Sequence, residues 1–362
     1  MSGLDKSNLN GVFGRSVFES TTDSPEDTNM DYSIQLDVKG VKCPVIPLLA
    51  IDGGGTKTIV AITDDKGQIL SMSKGGASNY QVVGEENAAK TLIQLIKDAV
   101  NNFKKNSCEY YTICEGVTFK RAVFALAGVD TESDKSFLER IIKQIIVNSG
   151  IQVQRVIVEN DALSVLLGAA NRSPGALLIS GTGSVAYAYD GNKDCVRVGG
   201  WGHIVGDEGS GYWIGKQAIS SVLKMYDGRE SKSILSELVL KHFGFKNLEE
   251  LHNWIYSPNY SVHDVGSLSI TVENACSLGD EVSKDILNRA VLELYNLITT
   301  AIKKANISHM HFKLMMLGGI LQNNEYVKNK LTNKIKREMT NVEIISTRQK
   351  PINLIIQRGL NC

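Results

Sequence analysis

The sequence predicts an α/β protein of two domains of similar design, with a ligand cleft between them. Three observations point there. Apolar runs of strand length alternate with amphipathic stretches at helical spacing. A strand, a glycine-rich turn and a second strand occur twice, at "LLAIDGGGTKTIVAIT" from Leu48 and at "ALLISGTGSVAYAYD" from Ala176. The 362 residues are enough for two cores.

"PLLAI" and "TIVAIT" read as strands, "DDKG" as a turn and "QILSMSK" as a third strand. "EENAAKTLIQLIKDAVNNF" carries apolar residues at helical spacing. "RAVFALAG" is a buried strand, and "DKSFLERIIKQIIVNS" an amphipathic helix ending at Gly150. "VQRVIVEN" is a strand, and "DALSVLLGAAN" a helix opened by Asn160 or Asp161. A meander followed by alternating strands and helices makes a mixed sheet flanked by helices. At "NRSPG" (171–175) the pattern restarts, so a hinge is expected there, between domains at 46–171 and 172–348. In the second half "ALLIS" and "VAYAYD" are strands around "GTGS", helical stretches run to about residue 305, and "FKLMMLGGI" is a late strand.

Residues 1–45 read as a disordered tail. Up to residue 44 they hold seven acids against four bases, and "STTDSPEDTNMDYS" cannot bury enough surface to order itself. The acids also argue against a transit peptide.

Charge is balanced, with 39 basic and 39 acidic side chains. Neither a nucleic-acid footprint nor a polybasic membrane arm follows from that balance. No apolar run reaches the roughly 18 residues of a membrane span. Cys43, Cys108, Cys114, Cys195, Cys276 and Cys362 are scattered without CxxC spacing. That usage reads as reduced thiols in a cytoplasmic protein, not as a disulfide frame or a zinc site.

The glycine turns ask for a ligand. "GTGSVA" fits GxGxxA, but a dinucleotide fingerprint needs a helix next, and β-rich "VAYAYD" follows. "GGGTKT" lacks the G-K-[ST] of a P-loop. What remains are two hairpin tips whose bare backbone lets N–H groups surround an anion. Thr56, Thr58, Thr182 and Ser184 can add hydroxyl donors. Ordinary turns would not need an acid, three glycines and a threonine together.

"DGGGTKT", "VENDA", "ISGTGS", "GGWGHIVGDEGSGYWIG" and "LGGI" resemble, in order, five motifs of actin-like ATPases: first phosphate loop, catalytic segment, second phosphate loop, sugar loop and adenosine motif. The chain most resembles the BadF/BadG-type ATPase family in its N-acetylglucosamine kinase branch, over roughly residues 48–325. The resemblance implies two actin-like (ribonuclease H-like) domains. It also implies an ATP- and Mg2+-dependent kinase that phosphorylates the 6-hydroxyl of N-acetylglucosamine, with glucosamine or another amino sugar as the near variant. A small-molecule sugar is then the partner, and a homodimer is compatible with that reading.

The resemblance also implies roles. Asp52 would hold the magnesium through water, as magnesium keeps its waters; a turn acid is its plainer reading. Gly54, Gly55, Thr56 and Lys57 would approach the transferred phosphate. Gly181, Thr182 and Gly183 would hold the other phosphates. Gly318 and Gly319 would let the adenine lie against the backbone. Asp161 would be the general base for the sugar 6-hydroxyl; its other reading is a helix N-cap, a place Asn160 could fill instead. Asn79 would contact the sugar, unless it is only a left-handed loop residue. Gly200, Trp201 and Gly202 would form the sugar loop. Asp207 would accept from sugar hydroxyls, or else cap the helix beginning near Gly211. His203 reads as structural. Asp130 ends a strand toward the same cleft and is not taken as the base.

One departure stands out. The family places a proline and a Gly-Ala-rich helix at its end, returning to the first domain. Here Pro351 is followed by "INLIIQRGLNC", so the segment 349–362 lacks most of those small residues. Two other functions compete. An activator of an acyl-CoA dehydratase shares the phosphate loops but needs clustered cysteines for an iron–sulfur cluster. A sugar sensor of the same family is favoured by the altered C-terminus and opposed by the intact Asp52 and Asp161.

Overall fold

The computed structural model describes residues 45–106, 116–129, 131–192, 194–345 and 349–362. Residues 1–44 of the expected tail and Asp130 lie outside the described residues, while Val45, assigned to that tail, is the first residue of a strand. β1 (Val45–Gly53), β2 (Thr58–Thr63) and β3 (Ile69–Gly75) form an antiparallel meander. β4 (Val117–Leu126) and β5 (Ile151–Glu159) join in parallel on the far side of β1, giving the order β3-β2-β1-β4-β5. The second sheet repeats the plan. β6 (Gly175–Ser180), β7 (Ser184–Tyr189) and β8 (Cys195–Gly199) form its meander. β9 (Phe312–Leu317) and β10 (Val342–Ile345) join in parallel beside β6, in the order β10-β9-β6-β7-β8. Strand order and direction match the first sheet throughout.

Helices fill the connections. The first half has α1 (Tyr80–Val83), α2 (Glu85–Asn106), α3 (Glu132–Asn148) and α4 (Asp161–Ala170). The second has α5 (Gly211–Tyr226), α6 (Leu235–Phe243), α7 (Leu248–Ile255), α8 (Val262–Ser277), α9 (Glu281–Lys304), α10 (Gly319–Asn323), α11 (Glu325–Glu338) and α12 (Pro351–Leu360). α3 starts two residues before the periodic stretch, because Thr131 caps it and Asp134 closes a capping box. β8 and β10 have no apolar run of their own; both are short, half-buried edge strands. Among the described residues no helix is long and apolar enough to cross a membrane.

The strand period of two sorts the core. On β1, Leu49 and Ile51 face α2 and α3 with Leu92, Ile96, Ile142 and Ile145. Leu48 and Ala50 face the opposite way, into a layer containing Val165 and Leu166 of α4 and Ile352 and Ile355 of α12. The other wall of that layer is the second sheet, through Leu177, Tyr187 and Met315. The far face of the second sheet packs on α5, α8 and α9, with Leu178, Ile214, Leu268 and Leu294. Helices α4 and α12 are therefore the filling between two sheets.

α12 is seated despite its few small residues, because α4 contributes one. A Cβ on Gly168 would lie 1.9 Å from the carbonyl oxygen of Leu354. Gly359, the small residue α12 does have, lies against Leu48 and Val123. The Arg121 guanidinium donates to the carbonyls of Gly359 (2.5 Å) and Leu360 (3.0 Å), and Arg172 donates to that of Asn361 (2.8 Å). Cations at a helix C-terminus complement its orphan carbonyls and dipole.

Gly168→Ala drives a methyl into backbone that cannot rotate away. It should cost about 1–3 kcal/mol, the usual range for overpacking, read as a lower urea midpoint at unchanged slope. An unchanged midpoint would mean that α12 is not held as described.

Candidate active site

In open sheets the carboxyl ends of parallel strands frame the ligand crevice. Here β1, β4 and β5 end level, with Asp52 beside Ala125 and Ala125 beside Glu159. Asp161 follows two residues beyond β5, at the first position of α4. In the second sheet β6 and β9 end with Ile179 beside Leu317, so Gly181 and Gly318 emerge together. A cleft of about 400 Å³ opens at these ends, lined by Asp52, Asp161, Gly181, Thr182, Gly183 and Asp207 among others.

The first glycine loop is a four-residue hairpin tip, Gly54–Lys57, closed by the Gly54 N–H donating to Lys57 O at 3.0 Å. The Gly54 carbonyl accepts from the amides of Ser78 (3.0 Å) and Asn79 (3.2 Å), so the "GGASNY" segment is fastened to this loop. Burial raises the Asp52 carboxyl above its ordinary value, and Lys57 partly offsets that. The second loop, Gly181–Gly183, is tighter, with the Gly181 N–H on Gly183 O at 2.9 Å. The first amides of α5 dock on it: Gly211 N–H donates to Gly181 O (2.7 Å) and Tyr212 N–H to Thr182 O (3.3 Å). Gly318, at φ 97°, has no room for a side chain, since a Cβ would lie 2.3 Å from Ser180 O. Gly319 opens α10 beside Gly181.

At the start of α4 the two candidate residues divide the labour. Asn160 is the N-cap, its Oδ1 accepting from Ala162 (2.9 Å) and Leu163 (3.4 Å). Asp161 accepts from the Ala162 N–H at 2.9 Å and lines the cleft. The helix N-terminus favours its negative charge.

Asp207 holds a left-handed backbone, φ 59°, which non-glycine residues rarely adopt. Its carboxylate sits where a Cβ on Gly183 would be 2.7 Å from Oδ2. Burial raises its pKa, while the backbone amides of Ser184 and Gly202 and the nearby His203 pull it down. Asp207 thus bridges the second glycine loop and the 200–206 loop. It is not a helix cap: Ser210 caps α5, accepting from Trp213 N–H at 3.1 Å.

Other residues fall elsewhere. Thr58 and Ser184, two of the four candidate hydroxyl donors, are spent on structure: Thr58 donates to Ser78 Oγ (2.8 Å) and Ser184 to Glu208 O (2.8 Å). Asn79 is extended (φ −69°), not left-handed, and its Oδ1 caps α1 by accepting from Gln81 N–H. Gly54, Gly55, Thr56, Lys57, Asn79, Trp201, Gly202, Gly318 and Gly319 do not line this cleft. Trp201, Ile204 and Val205 are exposed. His203 packs on the Tyr212 ring, 5.0 Å between centroids. Sequence reasoning missed Arg197, which lines the cleft, donates to Gly200 O (2.5 Å) and lies 5.4 Å over Trp201. No motif marks it; only its place just before the "GGWG" segment could have. Pro351 and Tyr187 also line the cleft unannounced. Among the described residues no three His, Cys, Asp or Glu side chains gather as a metal cage, and Cys195, Cys276 and Cys362 are free thiols.

Comparison with known proteins agrees with this architecture. The chain is 33% identical over 299 residues to the N-acetylmuramic acid/N-acetylglucosamine kinase of Clostridium acetobutylicum, covering 83% of this chain and 93% of that one. It is 31% identical over 306 residues to the N-acetyl-D-glucosamine kinase of Dictyostelium discoideum, covering 84% and 94%. The crystal structure of a Chromobacterium violaceum protein, provisionally named an N-acetylglucosamine kinase, superposes with a TM-score of 0.65 at 20% identity. That match covers 87% of this chain and 99% of the other, and it shows the shared fold. Residues 49–356 match the BadF/BadG/BcrA/BcrD ATPase family, and the chain belongs to it.

Proposed function

We propose that the protein is an ATP-dependent amino-sugar kinase that transfers the γ-phosphoryl group to the 6-hydroxyl of N-acetylglucosamine. The observation that carries this is the placing of Asp52, at the end of β1, and Asp161, just past the end of β5 with β4 between them, in one cleft with the Gly181–Gly183 loop. The names of the two curated relatives support the substrate class. Glucosamine is the near variant. α12 is a seated helix, so the altered C-terminus no longer favours a weakened sensor.

Phosphoryl transfer asks the protein for position and charge complementarity. Amides of Thr182 and Gly183 and of Gly55–Lys57 approach the phosphates, with Thr56, Lys57 and Thr182 adding side chains, while the Gly54 and Gly181 N–H groups close the two tips. Gly318 and Gly319 leave the backbone bare for the adenine. Asn79, through its amide NH2, together with Gly200, Trp201, Gly202 and Asp207, orients the sugar. The 6-hydroxyl oxygen attacks the γ-phosphorus, the bond to ADP breaks, and Asp161 takes the hydroxyl proton. Asp52 suits magnesium: it is a hard oxygen donor in the cleft whose burial is costly without a cation, and magnesium needs few protein ligands. That ion would neutralise phosphate charge.

Asp161→Asn should lower the single-turnover rate about 10²–10⁴-fold, the usual worth of a general base, with nucleotide affinity unchanged. Asp52→Asn should instead weaken magnesium-nucleotide binding and spare sugar binding. If Asp161→Asn keeps more than about a tenth of the rate, less loss than such groups show, Asp161 is not the base.

The raised pKa of Asp52 adds a second test with a defined sign. A carboxyl raised in the folded state costs stability when ionised, and the cost disappears as pH falls from its raised value to below the ordinary aspartate value of 3.8. Unliganded Asp52→Asn should therefore melt higher than the parent at neutral pH, with the gap closing over that window. Calorimetry across pH checks it; a variant that melts lower at neutral pH contradicts it.

A further inference from the structure

Glu159 ends β5 two residues before Asp161, and its side chain is 9% exposed. A carboxylate so buried needs partners, because losing its water is costly unless it is paired and hydrogen-bonded. It has them on two other elements. Ser164, one turn into α4, donates its hydroxyl to Glu159 Oε1. Arg358 of α12 donates from Nε to Oε1 (3.0 Å) and from Nη2 to Oε2 (3.2 Å), a two-pronged fork. The partners are 199 residues apart in sequence. The fork is itself held: Arg358 Nη1 donates to Cys362 Sγ (2.8 Å), and Arg121 ties the neighbouring carbonyls of α12 to β4.

These contacts surround the β5–α4 junction. The strand end is bound to the helix's first turn through Ser164 and to α12 through Arg358, and Asn160 and Asp161 lie inside that bracket. Asp161 itself touches neither residue in any bond described above. The bracket holds the first turn of α4, from which the Asp161 side chain projects.

We propose that Glu159 and Arg358 are positioning residues that aim Asp161, making the C-terminal helix part of the catalytic apparatus though it carries no reacting group. The activity arm of its test rests on the kinase reading above; the exchange arm does not.

Removing Arg358 alone would strand a buried charge and could unfold the chain. The test therefore uses Glu159→Gln/Arg358→Gln, which removes both charges, and Arg358→Lys, which keeps the charge but cannot fork. The expected result is a folded double variant whose sugar and nucleotide Kd values match the parent while kcat falls about ten- to a hundred-fold, the scale of a small misplacement of a reacting group. Arg358→Lys should fall between. In the unliganded proteins, amide hydrogen exchange at Ala162 and Leu163 should quicken in the same order, with Leu49–Ile51 unchanged. A folded double variant, or Arg358→Lys if the double variant does not fold, overturns the proposal if kcat stays within about twofold of the parent, the scatter of neutral changes, or if exchange at Ala162 and Leu163 is unmoved. If the parent phosphorylates no amino sugar, the kinase reading fails, and the exchange result alone supports or overturns the positioning role.

Discussion

The backbone contact between α4 and α12 is the constraint on which the rest depends. Both helices lie in the layer shared by the two sheets, and Gly168 lets them meet with no side chain between. Close approach fixes the height of α4 against β4 on one side and β6 and β7 on the other, while α12 covers β1. The N-terminus of α4 carries Asn160 and Asp161. Packing in the middle of the molecule thus sets the position of a carboxylate at its cleft. A similar approach recurs in the second half, where a Cβ on Gly215 of α5 would lie 1.9 Å from Val265 O of α8. α5 in turn holds the second glycine loop through its first amides.

The cleft gathers negative charge at a cost. Asp52 and Asp207 are both raised by burial, and Asp161 shares the same walls. A fold selected only for stability would not place three acids there, with one of them in a left-handed backbone. Perturbed carboxyls lining a cleft mark functional sites, where strain and desolvation are tolerated for what they do to a ligand. Glycine loops that present N–H groups to an anion supply the complementary half. Carboxylates and glycine-loop amides lining one cleft suit a ligand that brings both phosphate and cation.

The fold was legible wherever period and turn chemistry are local. The alternation on β1, the helical spacing of α2 and the glycine tips after Asp52 and Ser180 can all be read along the chain. Short edge strands β8 and β10 were not, since half-burial leaves no run to see. At the site, the Asn160–Asp161 pair was read with both of its uses, and the structure divides them as cap and cleft residue. Hydroxyls misled: Thr58 and Ser184 sit in the right motifs, yet their donors go to Ser78 and Glu208. Asp207 was legible as a carboxylate but not as a bridge, because its left-handed φ depends on the loop around it. Arg197 was missed because it sits on an edge strand with no apolar run to mark it, and the Glu159–Arg358 pair was beyond reach, since partners on distant elements leave no trace in local pattern.

The central claim is that this cleft moves a phosphoryl group from ATP to a primary hydroxyl of an amino sugar. The most direct measurement is phosphorus–proton correlation NMR of the product formed from ATP, magnesium and N-acetylglucosamine. The account predicts a single phosphomonoester coupled to the sugar's H6 protons, with one ADP released per product. Inorganic phosphate alone, or a phosphoryl group on another carbon, would contradict it.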